Sequence, residues 1–145
     1  MAFQTIMVPT DYSPSAENAL DLAVKFAEAY GAKISLIHAY QVPADIYPYT
    51  LYITEGMLEK IKETHEMKME SLRKHLEGKG VEVEGTVVRG ESHDAIAQAA
   101  RERQADLIVM GTRGVTGLKH LALGSTAERT VRYADCPVIA VPLTK

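Results

Sequence analysis

Short apolar runs alternate with longer segments whose apolar residues recur at helical spacing, and this alternation continues along the whole chain. A short apolar run bounded by turn residues predicts a buried β-strand, whereas recurrence at three- to four-residue steps predicts a helix with one buried face. The pattern predicts five strands, which lie at residues 3–9, 33–39, 81–88, 106–110 and 137–142.

Capping residues predict where four helices begin between these strands. Ser13 is a favourable N-cap residue, and Pro14 suits the first helical position because the N–H that proline lacks has no intrahelical partner there. Apolar residues then recur as far as Tyr30, and Gly31 favours the end of the helix. The other helices are predicted to begin near Thr54, Ser92 and Ser125, and the second helix to end near Gly78.

Alternating strands and helices predict an α/β fold, in which one mostly parallel sheet is covered by helices on both faces. A chain of 145 residues suits a single domain, which we place at residues 1–145. We predict the open five-stranded order 3-2-1-4-5, so that a ligand would bind where the order reverses, beyond the ends of strands one and four. Thr10 and Asp11 would then face Gly111 across one crevice. Residues 40–52, which carry two prolines, are predicted to form an irregular loop that acts as a lid or contact surface.

Composition excludes several classes of protein. The net charge is −3 and the chain has no basic block, which argues against nucleic acid as a partner because phosphate-backbone binding needs a stripe of Lys and Arg. No apolar run approaches the length of a membrane span, and no secretory leader is visible. Cys136 is the one cysteine, so no internal disulfide can form, and we expect it to be a small buried residue. Together these features predict a cytoplasmic protein with no membrane contact.

A glycine-rich motif carries the strongest chemical signal. Gly111-Thr112-Arg113-Gly114 follows the fourth strand, and Gly124-Ser125-Thr126 precedes the last helix. A phosphate chain needs backbone N–H groups brought very close, which a Cβ atom would hinder, and a helix N-terminus favours negative charge. The motif therefore predicts an anion site, and a nucleotide phosphate is the commonest anion of that size.

Some of these residues also have purely structural interpretations. Ser125 and Glu128 have the spacing of a capping box, although a helix N-terminus has enough orphan N–H groups for a cap and a phosphate. Asp11 could shape the turn before the first helix. Arg113 could screen phosphate charge or lie on a solvated surface. His38 is expected to be a hydrogen-bonded structural residue at the end of a strand.

The pattern Gly-x-x-Gly, nine residues, Gly-Ser resembles the nucleotide-binding motif of the universal stress protein family. The resemblance covers the whole chain and includes the segments 8–13, 38–39, 110–111 and 136–141. It implies the fold of the adenine nucleotide alpha hydrolase-like proteins, and it implies ATP as the ligand. Two positions differ from many relatives. Ser92 stands where a proline is common, and Ala127 stands where a hydroxyl is common.

The resemblance also implies roles for individual residues. The phosphates and ribose would lie against the glycine motif. Asp11 would contact the nucleoside, with Pro9 and Thr10 beside it, and Ala39 and Met110 would lie near the adenine. The residues implied for the phosphates and ribose are Gly111, Gly114, Gly124, Ser125 and Thr126.

The function implied is that of an ATP-binding regulator or sensor in the stress response, a homodimer formed through strand 138–141. The alternatives are a nucleotide-independent interaction module of the same fold and a slow ATPase. No P-loop, Rossmann fingerprint or catalytic triad is recognisable, so no catalytic residue is predicted and enzyme activity stays open. His65 and His75 have no metal-ligand spacing, and no protein metal site is predicted. Mg²⁺ or Mn²⁺ could accompany the nucleotide phosphates.

Overall fold

The computed structural model describes residues 3–42, 53–113 and 123–143. Its sheet has five parallel strands in the order β3-β2-β1-β4-β5, which confirms the predicted topology. The central strand β1 pairs with β2 on one side and with β4 on the other, and all of its residues are buried. The order reverses between β1 and β4. The strands are Thr5–Pro9 (β1), Lys33–Tyr40 (β2), Val83–Arg89 (β3), Leu107–Gly111 (β4) and Val138–Val141 (β5).

The helices of the described residues begin close to the predicted positions. Ser13 caps the first helix, because its hydroxyl accepts a hydrogen bond from the Ala16 N–H at 3.2 Å. Gly31 ends that helix in the left-handed conformation, with φ at 67°. Thr54 caps the second helix through the N–H of Met57. The helices are Pro14–Tyr30 (α1), Glu55–Glu77 (α2), Ser92–Glu102 (α3) and Ser125–Tyr133 (α4).

The predicted strands differ from the observed ones by one or two residues at their ends, and two boundary differences have an identifiable reason. Asp106 was placed in the fourth strand, but its carboxylate accepts hydrogen bonds from the N–H groups of Gln4 and Thr5 at 2.7 and 2.9 Å. The side chain thereby satisfies the first N–H groups at the start of β1, and β4 begins at Leu107. Ser92 was predicted to cap α3, but Glu91 holds the N-cap position and Ser92 is the first helical residue.

The two faces of the sheet carry separate apolar cores, as the alternation of side chains along a strand requires. Ile6 and Val8 pack against α1 and α2 on one face. Met7 and Ile108 pack against α3 and α4 on the other. In the described part of the chain, no helix combines the length and apolar composition that crossing a membrane requires.

Candidate functional site

A cavity of about 250 Å³ opens at the carboxyl ends of the strands, where the strand order reverses. The turn after β1 forms one wall, and the loop after β4 together with the start of α4 forms the opposite wall. The first turns of α1 and α3 complete the lining. This is the position at which open α/β sheets bind their ligands.

The cavity brings together the predicted site residues that the structure describes. They come from four separate parts of the chain: the end of β1, the end of β2, the end of β4 and the start of α4. Gly114, which was also predicted, lies outside the described residues, and so does most of the predicted loop at 40–52. The predicted residues that line the cavity are Pro9, Thr10, Asp11, Ala39, Met110, Gly111, Gly124, Ser125 and Thr126.

The N-terminus of α4 faces the cavity, and no side chain of the described residues caps it. Gly124 is the N-cap residue and has no side chain to offer, so Ser125 is the first helical residue. The Glu128 carboxylate pairs with Arg132 at 2.9 Å instead of reaching back to the helix start. The capping-box interpretation of Ser125 is therefore wrong. Orphan N–H groups and the positive end of the helix dipole remain at the cavity wall, where they favour an anion.

The two described glycines of the motif have a structural reason that the sequence did not reveal. A Cβ on Gly111 would overlap the Ser15 hydroxyl and lie 2.8 Å from the Ser15 backbone. A Cβ on Gly124 would lie 2.9 Å from the carbonyl oxygen of Thr112, which accepts the Gly124 N–H at 2.6 Å. Glycine is required at these two positions because the cavity walls are in close backbone contact there. The same close packing leaves no side chain from either position in the cavity.

Asp11 belongs to a tight turn and also lines the cavity. Its Oδ1 accepts the N–H of Ser13 at 3.0 Å, and the hydroxyl of Thr10 accepts the N–H of Tyr12 at 3.0 Å. The turn-shaping interpretation of Asp11 is thus confirmed. It leaves the ligand interpretation possible, because a carboxylate can accept several hydrogen bonds.

Sequence reasoning missed Ser15, left Arg113 open between a phosphate contact and a solvated surface, and assigned Ser92 only as a helix cap. The buried hydroxyl of Ser15 accepts the N–H of Arg113 at 3.3 Å and so ties α1 to the glycine loop. Arg113 itself lines the cavity, and its buried Nε has no hydrogen-bond partner among the described groups. Ser92 lines the cavity from the start of α3. Ser15 and Arg113 are 98 residues apart, so no local pattern could have paired them.

A group of possible metal ligands lies beside the cavity at the start of α3. Glu91, His93 and Asp94 bring ligand atoms within 4.8 Å of one another. The Arg129 guanidinium already lies 3.1 Å from the Glu91 carboxylate, and it would oppose a cation there. We therefore assign no metal to this group.

Comparison with known proteins gives a consistent result along the chain. A model of the universal stress protein family matches residues 2–142. Universal stress protein MJ0531 of Methanocaldococcus jannaschii is 33% identical, over 99% of this chain and 84% of that protein. A universal stress protein of Thermus aquaticus, named for its location in the QAH/OAS sulfhydrylase 3′ region, is 34% identical, over 96% of this chain and 98% of that protein.

Solved structures share the fold, and the matches include complexes with a nucleotide. The hypothetical protein MJ0577 superposes with a TM-score of 0.86 at 28% identity, covering 100% of this chain and 99% of that chain. A universal stress protein in complex with cAMP gives 0.70 at 28% identity, covering 99% and 100%. A universal stress protein from Archaeoglobus fulgidus in complex with dAMP gives 0.63 at 26% identity, covering 97% and 99%.

Proposed function

This chain belongs to the universal stress protein family, and on that premise we propose that it binds an adenine nucleotide, ATP above others, in the cavity between β1 and β4. Binding would make it a nucleotide-dependent regulator or sensor in the stress response. The observation that carries the proposal is the uncapped N-terminus of α4 at the wall of that cavity. Support comes from the relatives of the same fold that hold cAMP and dAMP.

The proposed orientation places the phosphates at α4. Backbone N–H groups from Ser125 to Ala127 have no i−4 acceptor within the helix, and the non-bridging oxygens of the phosphates could accept them. The hydroxyls of Ser125 and Thr126 would add donors, and Arg113 would add positive charge. A divalent ion such as Mg²⁺ or Mn²⁺ would be held mainly by the phosphates.

The nucleoside would lie at the opposite end of the cavity. Ala39 and Met110 offer a small and an apolar surface suited to the flat adenine ring. Asp11 would accept hydrogen bonds from the ribose hydroxyls, because a charged carboxylate is a stronger acceptor than a neutral carbonyl or hydroxyl oxygen.

The described lining gives less support to the alternatives. A nucleotide-independent interaction module would have no use for an uncapped helix facing a cavity. An ATPase needs a general base near the terminal phosphate, and among the described lining residues Asp11 is the only carboxylate and none is a histidine. We propose no catalytic residue.

Calorimetric titration with ATP, ADP, AMP and adenosine tests the proposal directly. We expect ATP to bind in the micromolar range and adenosine to bind more weakly, since it lacks the phosphates. Asp11→Asn retains the turn through its side-chain oxygen but loses the charge, so we expect a loss of affinity of about five- to tenfold. Asp94→Asn, at an exposed position, is the matched control. Titrations of folded protein that stay flat for every adenylate would overturn the proposal.

A further inference from the structure

A pair of imidazoles lies directly behind the turn that carries Asp11. The buried side chain of His38 donates from Nδ1 to the carbonyl oxygen of Thr10 at 2.8 Å. A carbonyl can only accept, so Nδ1 carries the proton. The other nitrogen of His38, Nε2, lies 3.0 Å from Nδ1 of His65 on α2. When both rings are neutral, His65 must therefore be the donor to His38.

Aromatic rings and one ammonium group surround this pair. The ring of Tyr40 stacks on His65, with centroids 4.3 Å apart and planes at 15°. Tyr12 packs 4.9 Å from His38, and the Lys68 ammonium lies 4.6 Å from the centre of the Tyr12 ring. We call these five residues the imidazole cluster. It joins the end of β2, the turn after β1 and the middle of α2.

The turn depends on contacts of this kind. Tyr12 has φ at 62°, a left-handed conformation that residues other than glycine rarely adopt unless the surroundings hold them there. The contacts on its ring come from His38 and Lys68. The same turn presents Thr10 and Asp11 to the cavity. His38 and Lys68, which do not line the cavity, thus stabilise the turn that forms one wall of the proposed nucleotide site.

The hydrogen bond between the imidazoles tolerates one added proton but not two. With one added proton, one of the two facing nitrogens still accepts the N–H of the other. With two added protons both rings are cationic, and the N–H of His38 Nε2 faces the N–H of His65 Nδ1 at 3.0 Å. Among the described residues, the charged and titratable groups that face His65 are His38 from β2 and Lys68 from α2, with the phenols of Tyr12 and Tyr40 beside them. Burial raises the pKa of Tyr12 to about 12, so the phenol stays neutral and supplies no counter-charge at physiological pH.

The same surroundings oppose protonation of His65. Its pKa lies below the ordinary value of 6.5, first because of burial and then because of the positive charge of His38 and of Lys68. A histidine released from the cluster would take up a proton near pH 6.5, so it binds more protons than the packed one as the pH falls below that value. Acid therefore favours the state in which His65 has left His38.

We propose that His38 is a positioning residue for the nucleotide site and that its bond to His65 makes the Thr10–Tyr12 turn, and with it nucleotide affinity, sensitive to acid. This inference rests on the proposed function. As the pH falls below 6.5, loss of the pair would free the turn and weaken binding, although neither histidine lines the cavity.

ATP titrations at pH 5.5 and 7.5 test the proposal with two histidine variants of α2. His65→Asn keeps an N–H donor near the position of Nδ1 but does not titrate in this range. His75→Asn, at an exposed position on the same helix, is the matched control. We expect ATP to bind about fivefold more weakly at pH 5.5 than at pH 7.5 in the wild type and in His75→Asn, because the released histidine takes up a proton that the packed one does not. The change should be at most twofold in His65→Asn. Titration of the triphosphate itself affects all three proteins alike.

An equal acid effect in His65→Asn and the wild type would overturn the proposal. NMR separates this failure from failure of the proposed function, because it needs no nucleotide. Imidazole nitrogen shifts should show His38 protonated at Nδ1 at pH 7.5, and the amide signals of Thr10 to Tyr12 should move on acidification in the wild type but not in His65→Asn. If ATP does not bind at any pH, the proposed function fails, and static amide signals would overturn the positioning role as well.

Discussion

Two glycines decide how closely the walls of the cavity approach, because neither has a Cβ atom. Gly124 touches the backbone of Thr112, and Gly111 touches that of Ser15, so each position lacks room for a methyl group. Backbone contacts of this kind cannot relax as the end of a long side chain can. The site is therefore shaped at the residue scale by what is missing from two positions.

Replacement of Gly124 by alanine should damage both stability and binding. The new Cβ would lie 2.9 Å from the Thr112 carbonyl oxygen, and relieving that overlap would break the hydrogen bond between the two residues. We expect the free energy of unfolding in urea to fall by about 1–3 kcal/mol, and ATP affinity to fall with it.

Gly56→Ala is the matched control for that substitution. Its Cβ would meet only the Thr54 hydroxyl at 3.8 Å, and the residue lies in a helix. Since alanine loses less backbone entropy than glycine, stability should rise by up to ~1 kcal/mol. Equal effects at the two glycines would show that the contact with Thr112 does not matter.

Cys136 should be a slow nucleophile in the folded protein. Burial raises the pKa of its thiol, and the nearby charges of Asp106 and Asp135 raise it further. Because the thiolate is the reactive form, alkylation by iodoacetamide at pH 8 should be about tenfold slower in the native protein than in urea. Mass spectrometry of quenched samples measures both rates. A native rate equal to that in urea would contradict this account.

At the scale of elements, the helices that begin near the cavity differ in whether a side chain caps their N-terminus. α1 has a side-chain cap from Ser13, whereas the ends of α3 and α4 that line the cavity have none. The capped helix supports the turn after β1, and the two uncapped helices leave donors facing the cavity. The N-terminus of α1 is thus satisfied by its own cap, whereas the N-termini of α3 and α4 have N–H groups that a ligand could accept.

Removal of the α1 cap should weaken the fold by a predictable amount. Ser13→Ala leaves the Ala16 N–H without its acceptor in a buried position, so we expect a loss of about 1 kcal/mol in the free energy of unfolding. Ser13→Thr keeps the hydroxyl and should recover most of the loss. Urea denaturation monitored by circular dichroism gives both values. An alanine variant as stable as the wild type would exclude a capping role.

The elements were more predictable from the sequence than the contacts between them. The positions of the strands and of several helix starts followed from apolar periodicity and from local capping residues such as Ser13 and Thr54, which act within a few positions. The contact of Ser15 with Arg113 spans 98 residues, and that of His38 with His65 spans 27. Such pairs depend on how finished elements pack, so the sequence pointed to the site but not to the groups that hold its walls.

At the scale of the whole molecule, β5 is an edge of the sheet and can accept another strand. Ile108 and Thr112 donate to the carbonyl oxygens of Pro137 and Val141. Groups that face a neighbour alternate along a strand, so the N–H and carbonyl of Ala140 point away from β4. An unpaired strand edge invites association, and the family resemblance implies pairing of two copies here.

We propose that two copies pair along β5, and proline at position 140 should then separate them without unfolding either. Ala140→Pro removes the outward N–H but none that faces β4, and the residue before it is already extended, as proline requires. We expect sedimentation to give a dimer for the wild type and a 15.9 kDa monomer for Ala140→Pro. Ala140→Val keeps the N–H and should stay dimeric, which distinguishes loss of the hydrogen bond from a change of side chain.

Because the cavity lies between β1 and β4, away from this edge, the monomer should still bind ATP. A dimeric Ala140→Pro variant would place the interface elsewhere.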